Sequence, residues 1–202
     1  MKVKHLVGAF LCVLGCYACS SPKTEVQSPD GHIKMTLTVD ENGKPFYNVS
    51  VDDSLLIENS AMGFTAANGI ILAEGFQVKN TTFSSEDETW TQPWGENKKN
   101  RNHYNEMAVS LTNEDQVQLT LRFRVFDDGI GFRYEYTVPT VDSLLITDEL
   151  TTFRFHRDGT SWSIPASAET YELLYQQQPI SEVETANTPF TFKPADGVYG
   201  SI

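Results

Sequence analysis

The sequence predicts an all-β protein, a sandwich of antiparallel strands, and three observations predict it. Short runs of alternating apolar and polar residues recur along the chain, the period of a half-buried strand. Turn signals made of Asn, Asp and Gly separate those runs. No stretch of helical length carries an apolar period of roughly 3.6 residues, so strands do not alternate with helices as they do in parallel sheets. An aromatic content of 11%, with 12 Phe and 8 Tyr, adds to this, because aromatics favour pleated surfaces.

The chain opens on MKVKHLVGAFLCVLGCYACSS. Lys2 and Lys4 precede an apolar run over residues 6–18, and small residues follow, the form of a signal peptide over residues 1–19. The run falls short of the roughly 20 residues that span a bilayer. Cys16 and Cys19 each close a lipobox-like tetrapeptide, VLGC or CYAC, and the serines after Cys19 favour it as the lipidated residue. With Cys12 these are the chain's 3 cysteines, so the domain beyond them has no disulfide or thiol chemistry. The expectation is a periplasmic or outer-membrane lipoprotein of a bacterium. Residues 20–29, polar with two prolines, read as a linker, and residues 30–202 as the domain.

Within the domain, Ile33, Met35, Leu37 and Val39 alternate with polar residues. Asn42-Gly43 is a hairpin signal, and residues 46–51 return. Asp52-Asp53-Ser54 turns again into a short strand over 55–57. Further strands are expected over 69–72 and 76–83. The acidic run SSEDE over 84–88 reads as a break, followed by a turn-rich loop and a strand over 103–112. Val117, Leu119, Leu121, Phe123 and Val125 share one face of the next strand. Asp127-Asp128-Gly129 turns, with Gly129 and Gly131 expected at positive φ, and residues 131–138 return. Strands over 150–156 and 160–164 follow, then at most a turn or two of helix over 166–174. Residues 189–193 and 198–202 read as the last strands. The final one has no closing turn, which would leave an unpaired edge, so the sandwich is expected to be incomplete at the C-terminus.

Charge narrows the function. The formal net charge is −12, which repels phosphate backbones and argues against nucleic acid as a partner. It suits an extracytoplasmic domain that meets a cation or a neutral ligand. At 40% hydrophobic and 21% charged residues the chain is globular in composition.

Two acids stand out in SWSIPASAETYELLYQQQP: Glu169 and Glu172, three residues apart among aromatics. They could ligate Ca²⁺, which prefers carboxylate oxygen, form an acid/base pair for glycoside cleavage, or flank a short turn and face water. No EF-hand loop is present, so a calcium site would be assembled from distant segments. In WTQPWGE, Trp90 and Trp94 could stack on sugar rings or pin the loop against the sandwich. His103, like His32 and His156, reads as a structural hydrogen bonder. The DDGIG turn lacks the Lys-Ser/Thr of a phosphate loop, and there is no G-x-S-x-G elbow and no H-E-x-x-H.

The order of several segments is distinctive. SPDG, WTQPWGE followed by RNHYNE, FRVFDDGIGFRYEY, SIPASAETYELLY and ANTPFTF together resemble the N-terminal domain of glycoside hydrolase family 97, over residues 27–202. The resemblance implies a galactose-mutarotase-like β-super-sandwich, placed before a (β/α)8 barrel that holds the catalytic carboxylates. It implies bacterial α-glucosidases or α-galactosidases, with a carbohydrate substrate and a calcium ion to which this domain lends a glutamate. The matching position is Glu172, with Glu169 as the alternative, and Asn187 would lie near the same edge; Trp94 is the candidate substrate contact on the stacking reading of WTQPWGE. On this reading the chain carries no catalytic residue of its own. A free-standing carbohydrate-binding lipoprotein using Trp90 and Trp94, and a structural lipoprotein without ligand, are the competing readings.

Overall fold

The computed structural model describes residues 24–194 and 198–202. The signal peptide and the lipidation residues Cys16 and Cys19 lie outside them. In chain order the strands are β1 (Glu25–Gln27), β2 (Ile33–Val39), β3 (Pro45–Val51), β4 (Ser54–Ala61), β5 (Phe64–Ala66), β6 (Ile71–Leu72), β7 (Gln77–Thr91) and β8 (Lys99–Thr112). They continue with β9 (Gln118–Phe126), β10 (Ile130–Thr137), β11 (Ile146–Glu149), β12 (Gly159–Ser163), β13 (Gln176–Pro179), β14 (Thr191–Pro194) and β15 (Gly200–Ser201). All pairings are antiparallel and fall into four sheets: β1-β2-β3-β4, β10-β9-β8-β7, β11-β5-β6 and β13-β12-β14-β15. Consecutive strands are neighbours in the two large sheets, as expected of meanders joined by tight turns.

Alternation puts one face of each large sheet into a shared core. Met35 and Leu37 of β2 and Tyr47 and Val49 of β3 belong to the same buried cluster as Met107, Val109 and Leu111 of β8 and Leu121, Phe123 and Val125 of β9. Each such side chain contributes about 1.5–3 kcal/mol when fully buried. The small β11-β5-β6 sheet leans on the cluster through Phe64 and Ala66. Three tyrosines tie the layers together at their hydroxyls. Tyr47 donates to the carbonyl of Thr152 at 2.8 Å. Tyr134 bonds Thr151 Oγ1 at 2.6 Å and accepts the Gly63 N–H at 3.2 Å. Tyr136 donates to the carbonyl of Leu72. Burial raises the pKa of all three phenols.

The β2–β3 hairpin shows why its turn needs glycine. Gly43 has φ +74°, and a Cβ there would sit 2.3 Å from the backbone nitrogen of Phe76. The turn is packed against β7's approach, where the Phe76 N–H donates to the Gly43 carbonyl at 3.0 Å.

On the outer face of the second sheet, polar alternation becomes an ion network. Glu106 is buried and accepts from Arg122 Nη1 at 2.5 Å and from Arg124 Nε at 2.8 Å. Arg122 also donates to Glu135, which pairs with Arg133. Burial alone would raise the Glu106 pKa, but the Arg124 and Arg122 guanidiniums outweigh it and hold it below the usual range.

Several expectations are corrected. Residues 25–27, read as linker, form β1, because Glu25, Val26 and Gln27 pair with Thr36, Met35 and Lys34 and Val26 enters the core. The acidic run 84–88 is not a break: it lies within β7, held by a pairing with β8 that extends from Gln77↔Thr112 to Thr91↔Lys99. Gly129 and Gly131 do not adopt positive φ; Asp52 and Asp53 do, at 48° and 61°. Residues 150–156 run extended beside β4 through single backbone bonds and one bridge, Ile57↔Phe155, without forming a strand. No helical turn forms over 166–174.

Candidate functional site

The candidate site is built on the fourth sheet and the loop it carries. Asp158 fixes the start of that sheet. Its carboxylate accepts from Ser181 Oγ at 2.8 Å and from the N–H groups of Ser181 and Gly159. The Ser181 hydroxyl, then the Gly159 and Ser181 amides, lower its pKa. β12 then runs inward, with Ser161, Ser163 and Ile164 buried. The chain leaves β12 at Pro165 and returns at β13, and the loop between is 166–175. It turns by local side-chain bonds rather than helix. The Glu169 N–H donates to Ser167 Oγ at 3.2 Å and the Glu172 N–H to Thr170 Oγ1 at 3.0 Å. Ser and Thr two residues ahead of an amide compete with helix in this way.

The loop places its apolar residues in solvent. Tyr171 is 69% exposed, Leu174 88% and Tyr175 63%, with Leu173 beside them. Glu169 and Glu172 are both exposed, and neither carboxylate bonds another described side chain. Among the described residues no group of three or more His, Cys, Asp or Glu could hold a metal ion. Asn187 sits at the root of the same loop. Its N–H donates to the Ile164 carbonyl at 3.0 Å and its Nδ2 to the Pro165 carbonyl at 3.5 Å. Its amide thus braces the loop, and the Thr188-Pro189 bond that follows is cis.

Trp94 lies elsewhere. β7 and β8 extend past β9, whose pairing with β8 stops at Tyr104↔Phe126. Beyond it they form a two-stranded arm, with Arg101 bidentate to Asp87 at 2.7 and 2.8 Å. Trp94 is at the arm's tip, 83% exposed, so it does not pin the loop to the sandwich; Trp90 is half exposed. No ring contact or hydrogen bond among the described residues joins either to the 166–175 loop. His103 Nδ1 stands 3.7 Å from Asp127 at the base of the arm, His32 pairs with Asp52, and His156 Nδ1 with Glu58 at 2.7 Å. The His32 and His156 pairings are the structural hydrogen bonds expected of them, whereas His103 Nδ1 is buried without a hydrogen-bond partner among the described residues.

The sequence reading passed over Trp162, Lys193 and Tyr199. Trp162 and Tyr199 have nearly parallel rings, 21° apart with centroids at 6.5 Å, and Lys193 Nζ lies 4.8 Å from the Tyr199 ring. The period-2 pattern of Thr160 and Trp162 against buried Ser161 and Ser163 was the available signal.

The fold and its rim define an all-antiparallel β-sandwich domain that holds aromatic and carboxylate side chains out in solvent. The comparisons make that specific. The profile described as "Glycosyl-hydrolase 97 N-terminal" matches residues 26–202, and the chain belongs to that family. A Glycoside Hydrolase Family 97 enzyme of a Pseudoalteromonas species, solved in complexes with panose and with acarbose, superposes with a TM-score of 0.79 at 36% identity; the match covers 87% of this chain and 27% of that one. A retaining alpha-galactosidase of Bacteroides thetaiotaomicron is 28% identical over 133 residues, 65% of this chain and 19% of that protein. A beta-arabinopyranosidase shares the fold, with a TM-score of 0.76 at 23% identity. This chain therefore spans between 19% and 30% of the length of these relatives.

Proposed function

We propose that this chain is the N-terminal, substrate-side domain of a bacterial α-glycosidase, adding carbohydrate contacts and a carboxylate to a catalytic (β/α)8 barrel outside these 202 residues. The observation that carries this is the 166–175 loop, where Tyr171, Leu174 and Tyr175 are exposed around two unpartnered carboxylates. Clustered exposed apolar side chains mark an interaction surface, and carboxylates held out among them are available to what docks there. The 36% identical relative solved with panose and acarbose supports a saccharide as the ligand class.

Calcium takes roughly six to eight oxygen ligands. Glu172, with Glu169 as the alternative, fits as one donor to a shared shell and not as a site by itself. Bound there, the ion would add positive charge beside the reacting sugar; the chain's own part is to hold the carboxylate out on a loop braced by Asn187. The leader over residues 1–19 supports a periplasmic or outer-membrane lipoprotein, with Cys19 or Cys16 acylated; palmitate labelling of Cys19→Ala and Cys16→Ala variants decides between them.

The test is a chimera in which residues 26–202 replace the matching segment of the Pseudoalteromonas enzyme. Hydrolysis of panose should persist, and Glu172→Gln should lower it and raise the calcium concentration needed. A folded chimera whose activity and calcium response ignore Glu172→Gln and Glu169→Gln sinks the assignment. A second reading, a free-standing sugar-binding domain, has one observation in its favour: Trp94 stands in solvent at the tip of the arm.

A further inference from the structure

The outer face of the fourth sheet differs in chemistry from the rest of the molecule. Register places Thr160 opposite Lys193, Trp162 opposite Thr191 and Gln177, and Thr191 opposite Ser201. Directly opposed residues share a face, so Thr160, Trp162, Gln177, Thr191 and Lys193 stand together. Tyr199 joins them, since Gly200 after it pairs with Phe192 on the core side. The other face, with Ser161, Ser163 and Phe192, is buried. Gly200 is what lets the last strand lie so close: a Cβ there would meet the Phe192 ring at 2.3 Å.

In a chain with 27 acids, the strand positions of this outer face carry no Asp or Glu. They carry no Leu, Ile, Val or Met either. What they present is two nearly parallel aromatic rings, Trp162 and the 64%-exposed Tyr199, set among hydroxyls, one amide, one ammonium and the Pro179 ring opposite Thr160. A protein-docking face would be richer in aliphatic side chains, as the 166–175 loop is. An anion site would need more than one cation. Aromatic rings offer an apolar surface to the C–H face of a sugar, and the neighbouring polar groups suit its hydroxyls.

We propose that this face is a saccharide-binding surface, separate from the 166–175 loop, that takes a short neutral oligosaccharide of pyranose units across Trp162 and Tyr199. The proposal rests on the carbohydrate reading above but not on the docking of a barrel. Lys193, over the Tyr199 ring, holds that ring in place and reaches a sugar hydroxyl with its remaining donors.

The experiment titrates panose into the 202-residue chain and follows indole fluorescence and heat. Saturable binding is expected, weakened about tenfold or more by Trp162→Ala and by Tyr199→Ser. Tyr199 is on the exposed edge, so its variant covers the case in which Trp162→Ala disturbs β12; Trp162→Phe should restore part of the affinity. No saturable binding by the parent chain overturns the proposal. So does unchanged affinity in both variants, or loss of affinity in Trp94→Ala alone, which would move the sugar to the arm. A chimera without hydrolytic activity beside a chain that still binds panose here would sink the domain reading and leave this one standing.

Discussion

Glu106 shows how a single acid organises a sheet face. It is buried, yet it joins Arg122 and Arg124 on the adjacent strand. Glu106→Gln should leave two guanidiniums without their shared anion and lower stability by about 2 kcal/mol, since removing one partner of a buried pair exposes the cost of the other. Urea unfolding measures it, and an unchanged midpoint would show that the arginines re-pair with Glu135. Gly43→Ala is a sharper case. Positive φ and a Cβ 2.3 Å from the Phe76 nitrogen act together, so a loss of about 1–3 kcal/mol is expected. The same substitution at Gly31, which has space for a Cβ, should cost less, and equal losses at the two sites would remove the close contact as the reason. Both effects were partly legible in sequence. Asn42-Gly43 signals a hairpin on its own, but its contact with Phe76 needs the fold. Glu106 reads as one acid in RNHYNE until register sets it opposite Arg124.

At the scale of elements, the β7–β8 arm is where sequence reading failed and where a clear consequence lies. Residues 84–91 are acidic and exposed. Their composition argues against a strand, and only cross-strand pairing with β8 makes them one. β9, by contrast, was legible because its core face alternates without a break. The loop over 166–175 carries helix formers, yet Ser167 and Thr170 divert its amides, which periodicity cannot show. A two-stranded ribbon has no third strand to support it and is marginal alone. Trypsin should therefore cut first after Lys98 or Lys99, at the tip and start of β8, while the sandwich stays folded. Mass spectrometry of the early digest checks this; first cleavage within β9 or β10 would show that the arm is not the weakest element.

The whole molecule responds to pH through its carboxylates. Ser28 and the His32 amide lower Asp30, His156 lowers Glu58, Arg101 lowers Asp87, and Arg122 lowers Glu135, alongside Glu106 and Asp158. Folded values below the ordinary 3.8 and 4.5 lend stability that is full above those values and lost as pH falls through the folded ones. His32, raised chiefly by its hydrogen bond to Asp52, has the opposite sign: its contribution is full below 6.5 and lost as pH rises through its folded value. The urea midpoint should therefore hold between about pH 5 and 6 and fall steeply below about pH 4. A midpoint that stays flat down to pH 3 would mean these pairs persist in the unfolded chain. The whole-molecule architecture was the most legible level, because turn spacing and alternation define a sandwich. The way four sheets share it was not, since β5, β11 and β13 are too short to carry a pattern.

The three tyrosines that bond the layers together also make the protein an optical clock of its own opening. Of 8 Tyr, Tyr47, Tyr134 and Tyr136 are protected by burial and by bonds to Thr152, Thr151 and Leu72. Their raised phenol values mean that the stability they lend is intact below pH 10 and drains as pH rises past it. After a jump to strong alkali, the exposed phenols of Tyr171, Tyr175 and Tyr199 should ionise within the mixing time and absorb at once. The protected three should follow only as fast as the layers part, so the slow part of the absorbance trace reads the unfolding rate directly, and Tyr47→Phe should shrink that slow phase.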